Sequence, residues 1–148
     1  MTDQAARALE RSTEWLLRRQ EPGGFWVGMV ESNSCMEAEW LLASHILGTT
    51  LPMRDGFIRA LLQRQRPDGS WEIFHDAPAG DINSTVEVYA AFRAMGMDPQ
   101  LPEMRRARDW ILAHGGVREV RVFTRYWLAM IGVWPWKNTP NLPPELIA

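Results

Sequence analysis

The sequence has 148 residues, room for one ordinary domain with a substantial core. Hydrophobic residues make up 46% and charged residues 23%, which excludes both a disordered tail and a bundle of membrane spans. A net charge of -2 provides no broad positive field, so nucleic acid is excluded as the main partner.

The first predicted helix places Ala5, Ala8, Leu9, Ser12, Trp15 and Leu16 on one face and Arg7, Glu10, Arg11, Glu14 and Arg18 on the other. Breakers at Glu21 to Gly24 end it. Cys35 to Leu47 is apolar nearly all round and is followed by Gly48, suited to a helix end. An amphipathic helix with Phe57, Ile58, Leu61 and Leu62 comes next, then breakers at Arg66 to Ser70 and Ala77 to Gly80. Ser84 to Met95 is again apolar and meets Gly96, and Asp98 to Pro102 separates it from a third amphipathic helix carrying Met104, Ala107, Trp110 and Ile111. Val122 to Val133, which contains Gly132, is the last apolar helix before a closing loop at Pro140 to Pro144. No period-2 apolar alternation is long enough to demand a strand.

A helix without a polar face has to be enclosed. The alternation therefore predicts an all-α fold of about three helix pairs, amphipathic helices outside and apolar ones inside. That is an α/α-toroid, an incomplete α-α barrel, over residues 1–148 as a single domain. Three pairs fall short of a closed ring, so an open edge with exposed apolar surface is expected.

Eight Trp residues, several beside Gly, Pro or another aromatic residue, point to a repeat. Trp15-Leu16-Leu17-Arg18-Arg19-Gln20 leads through Gly24 to Trp26, and Ala60-Leu61-Leu62-Gln63-Arg64-Gln65 leads through Gly69 to Trp71. A degenerate third copy, Asp109-Trp110 to Gly115-Gly116, has no closing Trp. The physical reading is a clamp. Gln20 or Gln65 hydrogen-bonds the turn backbone, Gly24 or Gly69 permits the reversal, and Trp26 or Trp71 packs across the next helix start.

This repeated Gln-x-x-x-Gly-x-Trp pattern resembles the QW motif of the terpene cyclase family that includes squalene-hopene and oxidosqualene cyclases. Met36-Glu37-Ala38-Glu39-Trp40, Thr85-Val86-Glu87-Val88-Tyr89, Gly115-Gly116-Val117, Arg121 to Ala129, and Pro135-Trp136 through Pro143-Pro144-Glu145 resemble, in order and spacing, the amino-terminal part of bacterial squalene-hopene cyclases. The resemblance implies about the first quarter of an enzyme with two α-helical barrel domains around an aromatic-lined cavity. It implies no diffusible cofactor, squalene or a related linear terpene as ligand, and a peripheral contact with the inner membrane face. The family's general acid lies in an Asp-x-Asp-Asp motif. Here the nearest string, Asp81-Ile82-Asn83-Ser84, lacks paired aspartates, so the chain carries no catalytic acid and is expected to be inactive alone.

Buried carboxylates need partners. Glu37, Glu39 and Glu87 lie on helices expected to be enclosed, and Arg121 and Arg125 are the cations expected to bridge them. By resemblance, Glu39, Glu87, Arg121 and Trp127 match a polar network at the end of the cyclase cavity where the final carbocation is deprotonated or captured by water. The other reading of the same residues is an ion-pair cluster tying inner helices together. Trp40, Tyr89, Phe123 and Trp127 could face a cation through their rings, and core packing is the expected use of Trp40 and Tyr89.

Other chemistry has little support. His45, His75 and His114 lack zinc-ligand spacing, so no metal is expected, and Cys35 reads as a small core residue. There is no phosphate loop, no nucleophile elbow, and Lys137 is the only lysine. With a single cysteine no intrachain disulfide forms, and the polar start and the lack of an apolar run of about 18 residues make cytoplasm the expected location. Two functions remain open. One is the amino-terminal portion of a squalene-hopene-type cyclase, contributing scaffold and cavity wall and closed by the remainder of the enzyme. The other is a stand-alone non-catalytic helical module whose open edge binds a protein partner, another copy of itself or a hydrophobic ligand.

Overall fold

The computed structural model describes residues 3–28 and 32–141. The closing block of the resemblance, through Glu145, extends outside the described residues. The chain divides into two compact units, residues 1–31 and 32–148.

Among its described residues the first unit is one helix and its turn. Helix α1, Asp3–Leu17, keeps the two-faced pattern of the sequence, but none of its residues is buried within the unit. Gly24, in a left-handed conformation, turns the chain back, and the Trp26 indole N–H donates to the Leu16 carbonyl at 2.7 Å.

Among the described residues the second unit contains five helices: α2 (Ser34–Leu47), α3 (Arg54–Gln63), α4 (Ile82–Ala94), α5 (Pro102–Ala113) and α6 (Val122–Met130), with single 3-10 turns at Gly116–Arg118 and Trp136–Asn138. Their ends follow from local chemistry. The Asn33 side chain accepts from the Cys35 amide at the start of α2, Asp81 accepts from the Ser84 amide at the start of α4, and Pro102 opens α5, where a missing N–H is harmless. Gly48 ends α2 in a left-handed conformation.

The apolar helices α2, α4 and α6 form the inner layer, with α4 packed on both of the others, while the amphipathic α3 and α5 back α2 and α4. Among the described residues there is no strand. This is the expected all-α, α/α-toroid architecture. Its core is built from Leu41 and Leu42 of α2, Leu61 of α3, Val88 and Phe92 of α4, Met104 and Ala107 of α5, Leu128 of α6, and Trp71 between α3 and α4.

The second turn clamp anchors that core. Trp71 is 1% exposed, sends its indole N–H to the Leu61 carbonyl at 2.7 Å, and meets Phe92 edge-to-face with ring centres 6.0 Å apart. Its backbone is tied to the next helix start: the Trp71 amide donates to Thr85 Oγ1 at 3.0 Å, and the Asp81 amide donates to the Trp71 carbonyl at 2.8 Å. Gln65 Nε2 donates to the Gly69 carbonyl at 3.0 Å and to the Glu103 carbonyl of α5 at 2.9 Å.

Enclosure of the inner helices is one-sided, which corrects the sequence expectation. On α2 the residues Met36, Trp40, Ile46 and Leu47 are exposed, and Trp40, expected in the core, is 57% exposed. The ring that would cover that stripe is incomplete, so apolar composition by itself does not bury it. Tyr89 is half-buried and packs against the core as expected.

Candidate functional site

The amino-terminal halves of the three inner helices meet in one polar cluster. Glu87 of α4 is 0% exposed, an environment in which an unpaired carboxylate is costly. Its Oε1 accepts from Thr124 Oγ1 of α6 and from Arg121 Nη2 at 3.3 Å. Its Oε2 has no hydrogen-bond partner among the described residues. Arg121 is itself fixed from α4, because its amide donates to Asn83 Oδ1 at 2.7 Å and so starts α6.

Glu39 of α2 completes the cluster by accepting from the Trp127 indole N–H at 3.1 Å. Burial pushes the Glu39 carboxyl above the usual glutamate range and the negative Glu87 adds to the push, against the opposing pull of Trp127 and Arg121. For Arg121, burial works most strongly against the charge, but Glu87, Cys35 and Asp81 together outweigh it and hold the guanidinium protonated. Two carboxylates thus lie near one cation, Glu87 bonded to it directly and Glu39 held by the Trp127 indole.

Cys35 lies in the same cluster, with Sγ 3.3 Å from Ser84 Oγ and 3.8 Å from Arg121 Nη2. Burial, and then the negative Glu87, push its thiol up to about 12. Such a thiol stays protonated and is a poor nucleophile. Around the cluster the surface is apolar: Met36 and Phe123, one helical turn before Glu39 and Trp127, are 49% and 68% exposed. Among the described residues no three His, Cys, Asp or Glu side chains gather in a way that could hold a metal.

Of the site residues read from the sequence, Glu39, Glu87, Arg121 and Trp127 converge here, while two others do not. Arg125, expected beside Arg121, turns its Nη2 to the Arg118 carbonyl at 2.9 Å and lies over the Trp134 ring. It is one turn further along α6 and out of reach of the carboxylates. Glu37 pairs instead with Arg64, just past the end of α3, at 2.8 Å. Arg121 immediately precedes α6 as its N-cap residue. Thr124, Asn83 and Ser84 are further members of the cluster that residue-type patterning did not single out. Their signal is indirect: a hydroxyl three positions after Arg121, and a polar run before Glu87 on an otherwise apolar helix.

Residues 9–148 match the model of the squalene-hopene cyclase N-terminal domain. The squalene–hopene cyclase of Alicyclobacillus acidocaldarius is 41% identical over 143 residues, which is 96% of this chain and 22% of that protein. The squalene–hopene cyclase of Zymomonas mobilis is 34% identical over 149 residues, 99% of this chain and 22% of that protein. An enfumafungin synthase of Hormonema carpetanum is 37% identical over 97% of this chain and 11% of its own length. The chain therefore spans about a fifth or less of the curated relatives it matches. Among the described residues no helix is long and apolar enough to cross a membrane.

Proposed function

The chain belongs to the squalene-hopene cyclase family and matches its amino-terminal domain, and on that premise we propose that it supplies one wall and the polar end of a cyclisation cavity. In that cavity a linear triterpene such as squalene is folded into fused rings by proton-initiated cyclisation. The observation that carries the reading is the buried Glu87, held by Arg121 and Thr124 beside Glu39 and Trp127 on an otherwise apolar helix face. An apolar wall excludes water from a carbocation, and a few fixed carboxylates orient a single water or accept the last proton. The Trp127 ring supplies a π face to the same charge.

The sequence holds no Asp-x-Asp-Asp string, so the initiating acid comes from the remainder of a cyclase. In this role residues 1–148 count as one partial α/α-barrel domain. Its open edge is closed by that remainder, by a partner chain or by self-association, and a peripheral contact with the inner membrane face delivers the lipid. Titrating the purified chain with a squalene analogue tests the cavity. Saturable tryptophan quenching is expected, and Glu39→Gln should leave binding of the hydrocarbon intact while removing affinity for an amine-bearing analogue that mimics the cation. Absence of saturable quenching overturns the cavity reading and favours a non-catalytic helical module that binds a protein partner through its open edge, a role consistent with the missing acid motif.

A further inference from the structure

A second site lies along the inner helices towards their carboxyl-terminal ends. Their amino-terminal halves meet in the polar cluster, whereas His45 of α2, Tyr89, Arg93 and Ala94 of α4, and Ile131 and Val133 just past α6 line a separate cavity of about 570 Å³. No residue is shared between the two. The volume falls in the range of small-molecule pockets, roughly 300–1,000 Å³. Val86 and Ala90 form its floor, and Ile111, Leu112, Leu128 and Ile131 its walls, so most of its lining is aliphatic.

The polar groups on this rim are largely unspent. The Arg93 guanidinium makes one hydrogen bond, to the neutral Met97 carbonyl at 2.7 Å, and has no carboxylate partner among the described residues. Arg108 shares its charge with Asp109 at 2.8 Å. Neither the His45 ring nor the Tyr89 hydroxyl has a hydrogen-bond partner among the described residues. Arg93 also sits in the last turn of α4, where a cation suits the helix end, and His45 sits in the last turn of α2. The backbone carbonyls of those ends are closed by the amides of Gly48, Thr49, Gly96 and Met97, which leaves the side-chain donors free.

We propose that this cavity binds a long-chain carboxylate, its alkyl chain along the aliphatic groove and its single negative charge on Arg93, with His45 and Tyr89 donating to the same head group. One unneutralised guanidinium matches one negative charge, and a planar carboxylate suits its paired donors. A neutral hydrocarbon would leave the donors unused, and a dianionic phosphate would meet only one uncompensated cation.

Isothermal titration of the purified chain with dodecanoate tests this, with dodecanol as the neutral control. Saturable binding of dodecanoate, at least about tenfold tighter than dodecanol and lost to a similar degree in Arg93→Gln, is expected. Arg93 is exposed, so that variant should fold normally. His45→Gln provides a second, smaller reduction should Arg93→Gln alter the helix end. Glu39→Gln should bind dodecanoate unchanged, which separates this site from the cyclisation cavity. Equal binding of dodecanol, no binding of dodecanoate, or sensitivity to Glu39→Gln with none to Arg93→Gln would each overturn the assignment.

Discussion

The two turn clamps differ in burial far more than in geometry. In both, the Gln amide donates to the Gly carbonyl four residues on, at 2.8 Å for Gln20 and 3.0 Å for Gln65, and the Trp indole donates to a helix carbonyl ten residues back at 2.7 Å. Both glycines have positive φ. Yet Trp26 is 49% exposed and Trp71 is 1% exposed. The motif is thus a local device that closes its own hydrogen bonds, and its contribution to stability depends on what is laid across it. For the second copy that is Phe92 and the backbone of α5; for the first, nothing within its own compact unit.

The largest expected contrast is at the tryptophans. Trp71→Ala should destabilise the second unit by about 3–5 kcal/mol in urea denaturation, and Trp26→Ala the first by under about 1 kcal/mol. Equal losses would show that the hydrogen bond, not burial, dominates. The glycines come next. A Cβ on Gly69 would lie 2.5 Å from the Arg106 carbonyl carbon, whereas one on Gly24 meets nothing nearer than Gln20 Nε2 at 4.0 Å. Gly69→Ala should therefore lose about 3 kcal/mol, strain plus overlap, and Gly24→Ala about 1 kcal/mol from the left-handed backbone alone.

A smaller difference is expected at the glutamines. Gln65 also reaches the Glu103 carbonyl and accepts from Arg106 at 3.0 Å, so Gln65→Leu should cost about 2 kcal/mol against about 1 kcal/mol for Gln20→Leu, read as shifts in denaturation midpoint. The smallest is a pH effect. Asp68 in the second clamp stands where the first has Gly23. Burial works to raise its pKa, but the Ser70 hydroxyl and amide, with Arg66, bring the carboxyl below the usual aspartate value of 3.8. A lowered folded-state pKa means stability that is present above 3.8 and drains away as pH falls further. Asp68→Asn should flatten that acid limb of the second unit's stability curve, while the first unit shows no matching step.

The clamps also mark what a sequence makes legible. Gln20, Gly24, Trp26 and their counterparts could be read because the hydrogen bonds common to both clamps span ten residues or fewer, and helix alternation gave the layers because periodicity is local too. Burial was not legible, since it depends on which distant helix arrives: Trp40 has the composition of a core residue and less than half of the cover. The polar cluster was partly readable. Glu87 on an apolar helix demands a cation, but the choice between Arg121 and Arg125 turns on where α6 begins, and that is set by Asn83, 38 residues earlier. Thr124 could not be singled out, because a hydroxyl is ordinary on a helix until a buried carboxylate faces it.

Because Trp71 and Asp81 are bonded to each other through the Trp71 carbonyl, the segment 72–80 leaves and re-enters the fold at nearly the same point. Its base is held further by Arg66, which reaches Glu72 and the Ala77 carbonyl, while Phe74, His75 and Asp76 at the tip are exposed. A loop pinned this way can change length with only a slow rise in closure entropy. Residues inserted between His75 and Asp76 should therefore leave the α3–α4 junction unmoved, making this tip a natural place to graft a tag, a reporter or an additional recognition element.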